Sequence, residues 1–301
     1  MTKILKEVWK QKYLHLLALP GVIYYIIFHY IPMYGVIIAF QDYNIGKGVL
    51  HSEWVGLKHF INFVNNPFFW RLIRNTILIN VYQIIFVFPI PIVFALFLNE
   101  IRQQLYKKFV QTVSYLPHFI SLPAIIGMLA MYLSPTDGIV NKILSKFGIE
   151  PIYFLAQPEW FRTIYIVSDI WQHTGWSAII YIAALSQVNP ELYESAIIDG
   201  ANRIQLMKYI SIPSILPTIT IMFLLKVGHI MSLGAEKVLL LQSPLNYETS
   251  DVISTYVYRR GLIYGEYSYT TAIGIFNSVI NLVILLIANK ISQKVSETSL
   301  W

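Results

Sequence analysis

The sequence predicts an all-α integral membrane protein with six transmembrane helices. Hydrophobic residues form 56% of the 301 residues and charged residues only 13%. The mean hydropathy of +0.56 is well above that of a soluble domain. Residues 14–40 contain no Asp, Glu, Lys or Arg, and about 20 apolar residues suffice to cross a bilayer. This stretch is too long for a signal peptide and has no small-residue cleavage site after it, so we expect a retained span.

Hydropathy places the spans in six apolar stretches, all expected to be helical because a helix satisfies its own backbone in lipid. Prolines at 89, 91, 117 and 123 predict kinks in the second and third spans. We expect a short N-terminal segment, 1–13, followed by a single six-span domain over 14–301. The predicted spans are 14–40, 75–98, 109–133, 163–188, 214–234 and 268–289.

The distribution of basic residues indicates the orientation of the spans. Lys and Arg are densest in two short segments, with Lys3, Lys6, Lys10 and Lys12 in one and Arg102, Lys107 and Lys108 in the other. Short segments rich in Lys and Arg stay in the cytoplasm. Both termini and the loop 189–213 are therefore expected to be cytoplasmic. The segments 41–74, 134–162 and 235–267 then lie outside, where their aromatic residues serve as interfacial anchors or contact a partner.

Several protein classes are disfavoured by composition. The chain has no cysteine, which excludes disulfides, thiolate nucleophiles and cysteine metal sites. Its net charge of +6 comes from scattered residues that flank apolar spans, a pattern explained by membrane topology without any nucleic-acid partner.

Polar residues inside the predicted spans are candidates for a solute path. Ionisable and amide side chains in membrane helices usually face a bundle interior or a water-filled route. The fourth span carries three of them and the indole of a tryptophan on one helical stripe, and the fifth and sixth spans carry the others. The candidates are Asp169, Gln172, His173, Trp176, Lys226, His229 and Asn277. The alternative is that they satisfy one another between packed helices, with Asp169 and Lys226 as an ion pair.

The polar loop 189–213 predicts a helix, a glycine bend and a second helix. Asn189 suits a helix N-cap and Pro190 the first helical position, while Gly200 should end the helix. Asn202 can cap a second short helix that runs through Ile210. Pro213 and Pro217 then mark the start of the fifth span.

This loop resembles the EAA loop of permease subunits of binding-protein-dependent ABC importers. The family pattern is Glu-Ala-Ala, three residues, Gly, nine residues, Ile-x-Leu-Pro. The chain matches it at Glu194, Ala196, Gly200, Ile210 and Pro213. Ser195 and Ile212 replace Ala and Leu with residues of similar size. An ordinary amphipathic linker would have no reason to place all these residues at this spacing.

Softer motifs extend the resemblance over nearly the whole chain, to the six-span permeases of the maltose-permease-like family and its complex-oligosaccharide branch in Gram-positive bacteria. They include W-V-G-L-K-H-F from residue 54, D-V-I-S-T-Y-V-Y-R-R-G from residue 251 and the final Leu300-Trp301. The resemblance implies the type I ABC importer permease fold with a cytoplasmic coupling helix that docks on an ATPase. The residues assigned to coupling are Glu194, Ser195, Ala196, Asp199, Gly200, Ala201, Ile210 and Pro213.

The resemblance also implies the partners. They are a second, homologous permease, two ATPase subunits that bind ATP and magnesium, and a lipid-anchored extracytoplasmic protein that delivers an oligosaccharide. This chain has no G-x-x-x-x-G-K-S/T motif, so no cofactor is expected in it.

Two other functions stay open at this point. A permease for an amino acid or phosphate would differ only in its solute. A membrane-embedded enzyme would use His118, His173 or His229 with Asp169, but these residues lack the spacing of a helical metal site.

Overall fold

The computed structural model describes residues 10–296, with side chains through 294. The predicted N-terminal segment 1–13 lies largely outside these residues, as do Lys3, Lys6 and the Leu300-Trp301 motif. In chain order the elements are α1 (Lys12–Phe40), β1 (Gln41–Asp42), α2 (Gly48–His51), β2 (Glu53–Trp54), α3 (Lys58–Val64), α4 (Phe69–Asn99), α5 (Gln104–Phe119), α6 (Leu122–Tyr132), α7 (Ile139–Ser145), α8 (Pro158–Leu185), α9 (Pro190–Ile198), α10 (Arg203–Val227), α11 (Ala235–Leu241), α12 (Tyr247–Ser250), α13 (Ile253–Val257) and α14 (Tyr267–Ser296).

Among the described residues, four helices are long and apolar enough to cross a membrane: α1, α4, α10 and α14. The pair α5 and α6 makes a fifth if it is one broken span. Helix α8 has 28 residues but is not in this group, because Asp169, Gln172 and His173 lower its apolarity. The all-α class is confirmed, and the count of six spans stays a prediction.

A sharp bend lies where the sequence predicts a kink in the third span. Helices α5 and α6 meet at 97° across a short break. Ile120 and Ser121 have extended backbone there. Pro123 lies in the first turn of α6, where a missing N–H leaves no helical hydrogen bond unmade.

The fifth span differs from its predicted bounds of 214–234. Helix α10 begins at Arg203 and ends at Val227. The second short helix of the polar loop is therefore the first turn of the span rather than a separate element. A π-helical turn at Met207–Ser211 precedes Pro213, and the helix continues through both. Proline has no backbone N–H to donate, and the wider turn relieves the irregularity that this missing hydrogen bond causes.

The described chain separates into two compact units. The first comprises residues 10–66 and 259–276. Its only strands among the described residues, β1 and β2, form an antiparallel pair with Gln41 opposite Trp54. Phe63 is buried and meets the rings of Tyr269 and Phe276 edge-on. Only 6% of the apolar stretch of α1 is buried inside the chain. The surface of this helix is therefore available to lipid or another subunit.

The second unit comprises residues 67–258 and 277–296 and is organised around α8. One apolar cluster includes Ile79, Phe161 and Val252, and another includes Ala95, Ala178 and Ile215. One amide side chain also joins polar groups of α4, α8 and the segment before α13 in this unit. The fully buried Asn75 accepts a hydrogen bond from Arg162 Nη2 at 2.8 Å and donates to the carbonyl oxygens of Glu248 and Asp251.

Helices α8 and α5 approach each other closely at Gly175. A Cβ atom there would collide with the backbone of Ser114, and small residues permit such close contacts between membrane helices. We predict that Gly175→Val separates the helices and destabilises the protein by about 1–3 kcal/mol. Thermal unfolding of the purified protein measures this loss.

Gly127→Val is the matched control, because Gly127 is also helical but has open space where its Cβ would lie. Equal stability losses in the two variants would contradict the close contact at Gly175.

Candidate functional site: a cavity and a polar loop

A cavity of about 680 Å³ lies within the second unit, between α4, α8 and α10. Its volume is that of a site for a small molecule. The wall is largely apolar and aromatic, with a few polar groups. It is formed by Val87, Phe88, Pro91, His173, Trp176, Ser177, Ile179, Ile180, Tyr181, Met222, Leu225 and Lys226. Three of the predicted path residues, His173, Trp176 and Lys226, are thus brought together.

The polar groups of this cavity are held by neighbouring side chains. Lys226 Nζ donates a 2.7 Å hydrogen bond to Gln83 Oε1. The His118 ring stacks on Trp176 with 4.5 Å between centroids and 1° between planes. Nδ1 of His118 lies 3.2 Å from Nδ1 of His173, within hydrogen-bonding distance. These contacts hold the indole and the ammonium group in place.

Asp169 pairs with a lysine that the sequence interpretation did not consider. Lys237 Nζ lies 3.0 Å from Asp169 Oδ1 and also donates to the carbonyl oxygen of Tyr165. The ammonium group lies 4.6 Å from the centroid of the Tyr165 ring. Burial lowers the pKa of Lys237, whereas Asp169 raises it. The alternative of an Asp169–Lys226 ion pair was wrong, because the turn after α10 lets α11 bring Lys237 to Asp169.

The other predicted path residues lie outside the wall of this cavity. Gln172 is buried and donates a long 3.4 Å hydrogen bond to the carbonyl oxygen of Ile120. The His229 ring bonds the carbonyl oxygen of Leu225 one turn earlier. Asn277 has a buried amide oxygen without a hydrogen-bond partner among the described residues. The nearby Asn281 instead bonds the turn after α10, since it accepts a hydrogen bond from Met231 N and donates one to Ser232 Oγ.

Sequence reasoning missed Gln83 and Lys237, as well as the stacking partner His118. Gln83 is an amide residue that precedes a long apolar stretch of α4, and that position was the available signal. Lys237 directly follows Glu236 in α11, and no sequence signal set it apart. The described residues contain no cluster of three or more His, Cys, Asp or Glu residues that could hold a metal ion.

The polar loop has the predicted local structure in its first half. Asn189 caps α9 by accepting a hydrogen bond from Glu191 N, and Pro190 opens the helix. Gly200 follows the helix with φ of +82°, in the left-handed region that favours glycine. Asn202 and Gln205 then form a reciprocal capping box at the start of α10.

The loop combines an exposed apolar surface with a firm attachment. The exposed fraction is 86% for Ile198 and 75% for Ile204, and Leu192 and Ile197 are also exposed. Tyr193 Oη lies 3.0 Å from Ser211 Oγ, which connects α9 to the π-helical turn of α10. An exposed apolar patch of this kind is typical of a docking surface. The hydroxyl contact gives α9 a direct connection to the following helix.

Comparison with known proteins identifies the family. Residues 87–297 match the family described as "Binding-protein-dependent transport system inner membrane component". The chain belongs to this family. It is therefore a membrane permease subunit of an ABC importer and not an enzyme, which removes the histidine-based alternative.

Similar proteins cover nearly the whole permease. The polygalacturonan/rhamnogalacturonan transport system permease protein YteP of Bacillus subtilis is 44% identical, over 99% of this chain and 93% of that protein. LplB of Bacillus subtilis is 41% identical, over 97% of this chain and 92% of that protein. A chain in the crystal structure of a bacterial ABC transporter involved in import of the acidic polysaccharide alginate is 43% identical. Its TM-score is 0.90, with 98% of this chain and 99% of that chain covered.

The Lys237–Asp169 pair predicts a strong stability effect. Lys237→Met should cost about 3–5 kcal/mol, because it leaves a carboxylate that is only 13% exposed without its lysine, with His173 Nε2 at the longer distance of 3.8 Å. Adding Asp169→Leu should recover most of that loss, since the unpaired charge is then also removed. Thermal unfolding of the single and double variants measures both effects.

Lys146→Met serves as the control, because Lys146 is exposed. A double variant no more stable than Lys237→Met alone would show that the pair does not account for the loss.

Proposed function

We propose that this permease imports an oligosaccharide. The proposal rests on its near-full-length similarity to YteP and to the alginate importer chain. YteP is named for polygalacturonan and rhamnogalacturonan, and the solved importer is described for alginate. Galacturonan and alginate are both polymers of acidic sugars. An oligosaccharide that contains uronate units is therefore the first solute to test.

The cavity in the second unit is the proposed part of the solute path. Trp176 offers an indole ring to the apolar face of a sugar, and His173, Ser177 and Lys226 offer polar groups to its hydroxyls. Lys226 also provides a positive charge for a uronate carboxylate. Asp169, Gln172, His229 and Asn277 act in this proposal by holding the helices around the path rather than by lining this cavity.

The polar loop is the proposed connection to ATP hydrolysis. Residues Glu194 to Ala201, with Ile210 and Pro213, form the surface that docks on an ATPase subunit. The exposed side chains of Leu192, Ile197 and Ile198 supply the apolar contact. When the ATPase pair closes, α9 moves, and the contact of Tyr193 with Ser211 carries the motion into α10.

The remaining subunits follow from this proposal. A second, homologous permease completes the path, and two ATPase subunits bind ATP and magnesium. A lipid-anchored protein delivers the oligosaccharide from outside the bacterial membrane, docking on the segments 41–74 and 235–267. The termini and the loop 189–213 are cytoplasmic.

Uptake by the reconstituted complex tests the solute and the path together. We expect ATP-dependent uptake of trigalacturonate into proteoliposomes when the binding protein is present. Trp176→Ala and Lys226→Ala should each lower uptake by about tenfold, the effect of removing a good contact in a binding site. Assembly and basal ATP hydrolysis should stay unchanged.

Trp171→Ala is a matched control for the indole. Trp171 lies on the same helix with a similar exposed fraction, 48% against 44% for Trp176, but does not line this cavity. Equal losses for the two tryptophan variants would contradict the path. Uptake of an amino acid instead of any saccharide would contradict the solute class.

Two variants of the polar loop test coupling. Gly200→Val forces a β-branched residue into a left-handed backbone conformation at a cost of about 1–3 kcal/mol, which should displace the docking surface. Glu194→Lys reverses a charge on that surface. We expect both variants to assemble but to lose uptake and transport-stimulated ATP hydrolysis, measured together in proteoliposomes.

Matched controls are available for both changes. Gly148 also has a positive φ, +76°, in open space, so Gly148→Val imposes similar strain elsewhere. Glu150→Lys reverses an exposed charge in the same region. Normal uptake by both loop variants would contradict the assignment of this loop to coupling.

A further inference from the structure

A second cavity, of about 490 Å³, lies within the first unit. Its wall comes from the residues that follow α1, from α3 and the residues after it, from the π-helical turn Tyr258–Ile263 and from residues 265–269 at the start of α14. It contains charged, amide and tyrosine side chains, whereas the wall of the cavity in the second unit is largely apolar and aromatic. The lining residues are Asp42, Tyr43, Lys58, His59, Asn62, Asn66, Arg260, Gly265, Glu266, Tyr267, Ser268 and Tyr269.

Internal contacts hold one side of this cavity in place. Arg260 Nε lies 2.7 Å from Glu266 Oε2 in an ion pair. Ser268 Oγ accepts a 3.0 Å hydrogen bond from the backbone N–H of Tyr43. Asn66 Nδ2 donates to the hydroxyl of Tyr269 at 3.2 Å. Residues distant in sequence are thus joined, so the cavity is a built feature of the unit.

Three other polar residues that line the cavity are exposed to solvent. The side chains of Asp42, Lys58 and Asn62 form no hydrogen bond or ion pair with any described residue. Asp42 can only accept hydrogen bonds when ionised, Lys58 can only donate, and Asn62 can do both. A ligand that matches all three must carry donors and acceptors close together.

Sugar hydroxyl groups have this property, because each can donate and accept. The tyrosine rings add apolar faces against which a sugar ring can pack. The formal charges of Lys58 and Arg260 balance those of Asp42 and Glu266, so the cavity is not built for a simple inorganic anion. Convergent polar groups around a concave surface are typical of small-molecule sites.

We infer that this cavity binds a sugar unit of an oligosaccharide, at a site formed by different residues from the cavity of the second unit. The inference rests on the proposed function, which makes an oligosaccharide the solute and places the segments 41–74 and 235–267 outside the membrane. A solute released by the binding protein meets this site on segments that the same proposal exposes to it. The site would hold the saccharide before or during its transfer.

Saccharide binding to the purified permease–ATPase complex tests the inference, with the binding protein absent. The probes are trigalacturonate and the neutral maltotriose, titrated calorimetrically. The measurements use the Trp176→Ala variant, which weakens saccharide binding in the cavity of the second unit. The site in the first unit then dominates the signal. Asn62→Trp should fill the cavity and weaken binding about tenfold, and Asp42→Ala should weaken it about three- to tenfold through loss of hydrogen bonds.

Asn65→Trp is the matched control, because Asn65 follows the same helix and is exposed but does not line the cavity. The inference is overturned if Asn62→Trp and Asp42→Ala leave saccharide binding unchanged. It is also overturned if the complex without these two substitutions binds neither probe. The inference is also overturned if the two variants bind saccharide normally but no longer bind the empty binding protein. The cavity would then belong to a protein interface. Oligosaccharide uptake by the unsubstituted complex is scored separately, so the proposed function stands or fails independently.

Discussion

The ion pair between Lys237 and Asp169 is the interaction on which the polar interior of the second unit depends. An ionised carboxylate inside a helical bundle is very costly unless a partner neutralises it. Lys237 supplies the charge from α11, and it also binds the carbonyl oxygen and the ring of Tyr165. Because Asp169 is satisfied in this way, Lys226 is left to bond Gln83 and to line the cavity.

The same requirement shapes the helices around that pair. Asn75 is fully buried and joins Arg162 to two carbonyl oxygens of the segment that precedes α13. Asn281 accepts a hydrogen bond from Met231 N in the turn that follows α10, and α11 with Lys237 comes after this turn. Single amide side chains therefore hold together parts of this unit that are distant in sequence.

The polar loop depends on both local structure and a tertiary contact. Its caps are local features: Asn189 and Pro190 begin α9, and the positive φ of Gly200 ends it. Its connection to α10 is a tertiary contact between Tyr193 and Ser211. In the proposed mechanism the local features shape the docking surface, and the tertiary contact transmits its displacement.

The sequence by itself determined the helical membrane class, the caps of the polar loop and the family, because these depend on composition, spacing and short-range hydrogen bonds. It also placed His173 and Trp176 on one stripe, since helical periodicity is a local property. Only the tertiary structure decided the partner of Asp169, the stacking of His118 on Trp176 and the end of α10 at Val227. The first two are contacts between side chains from distant parts of the chain, whose positions depend on the packing of whole helices.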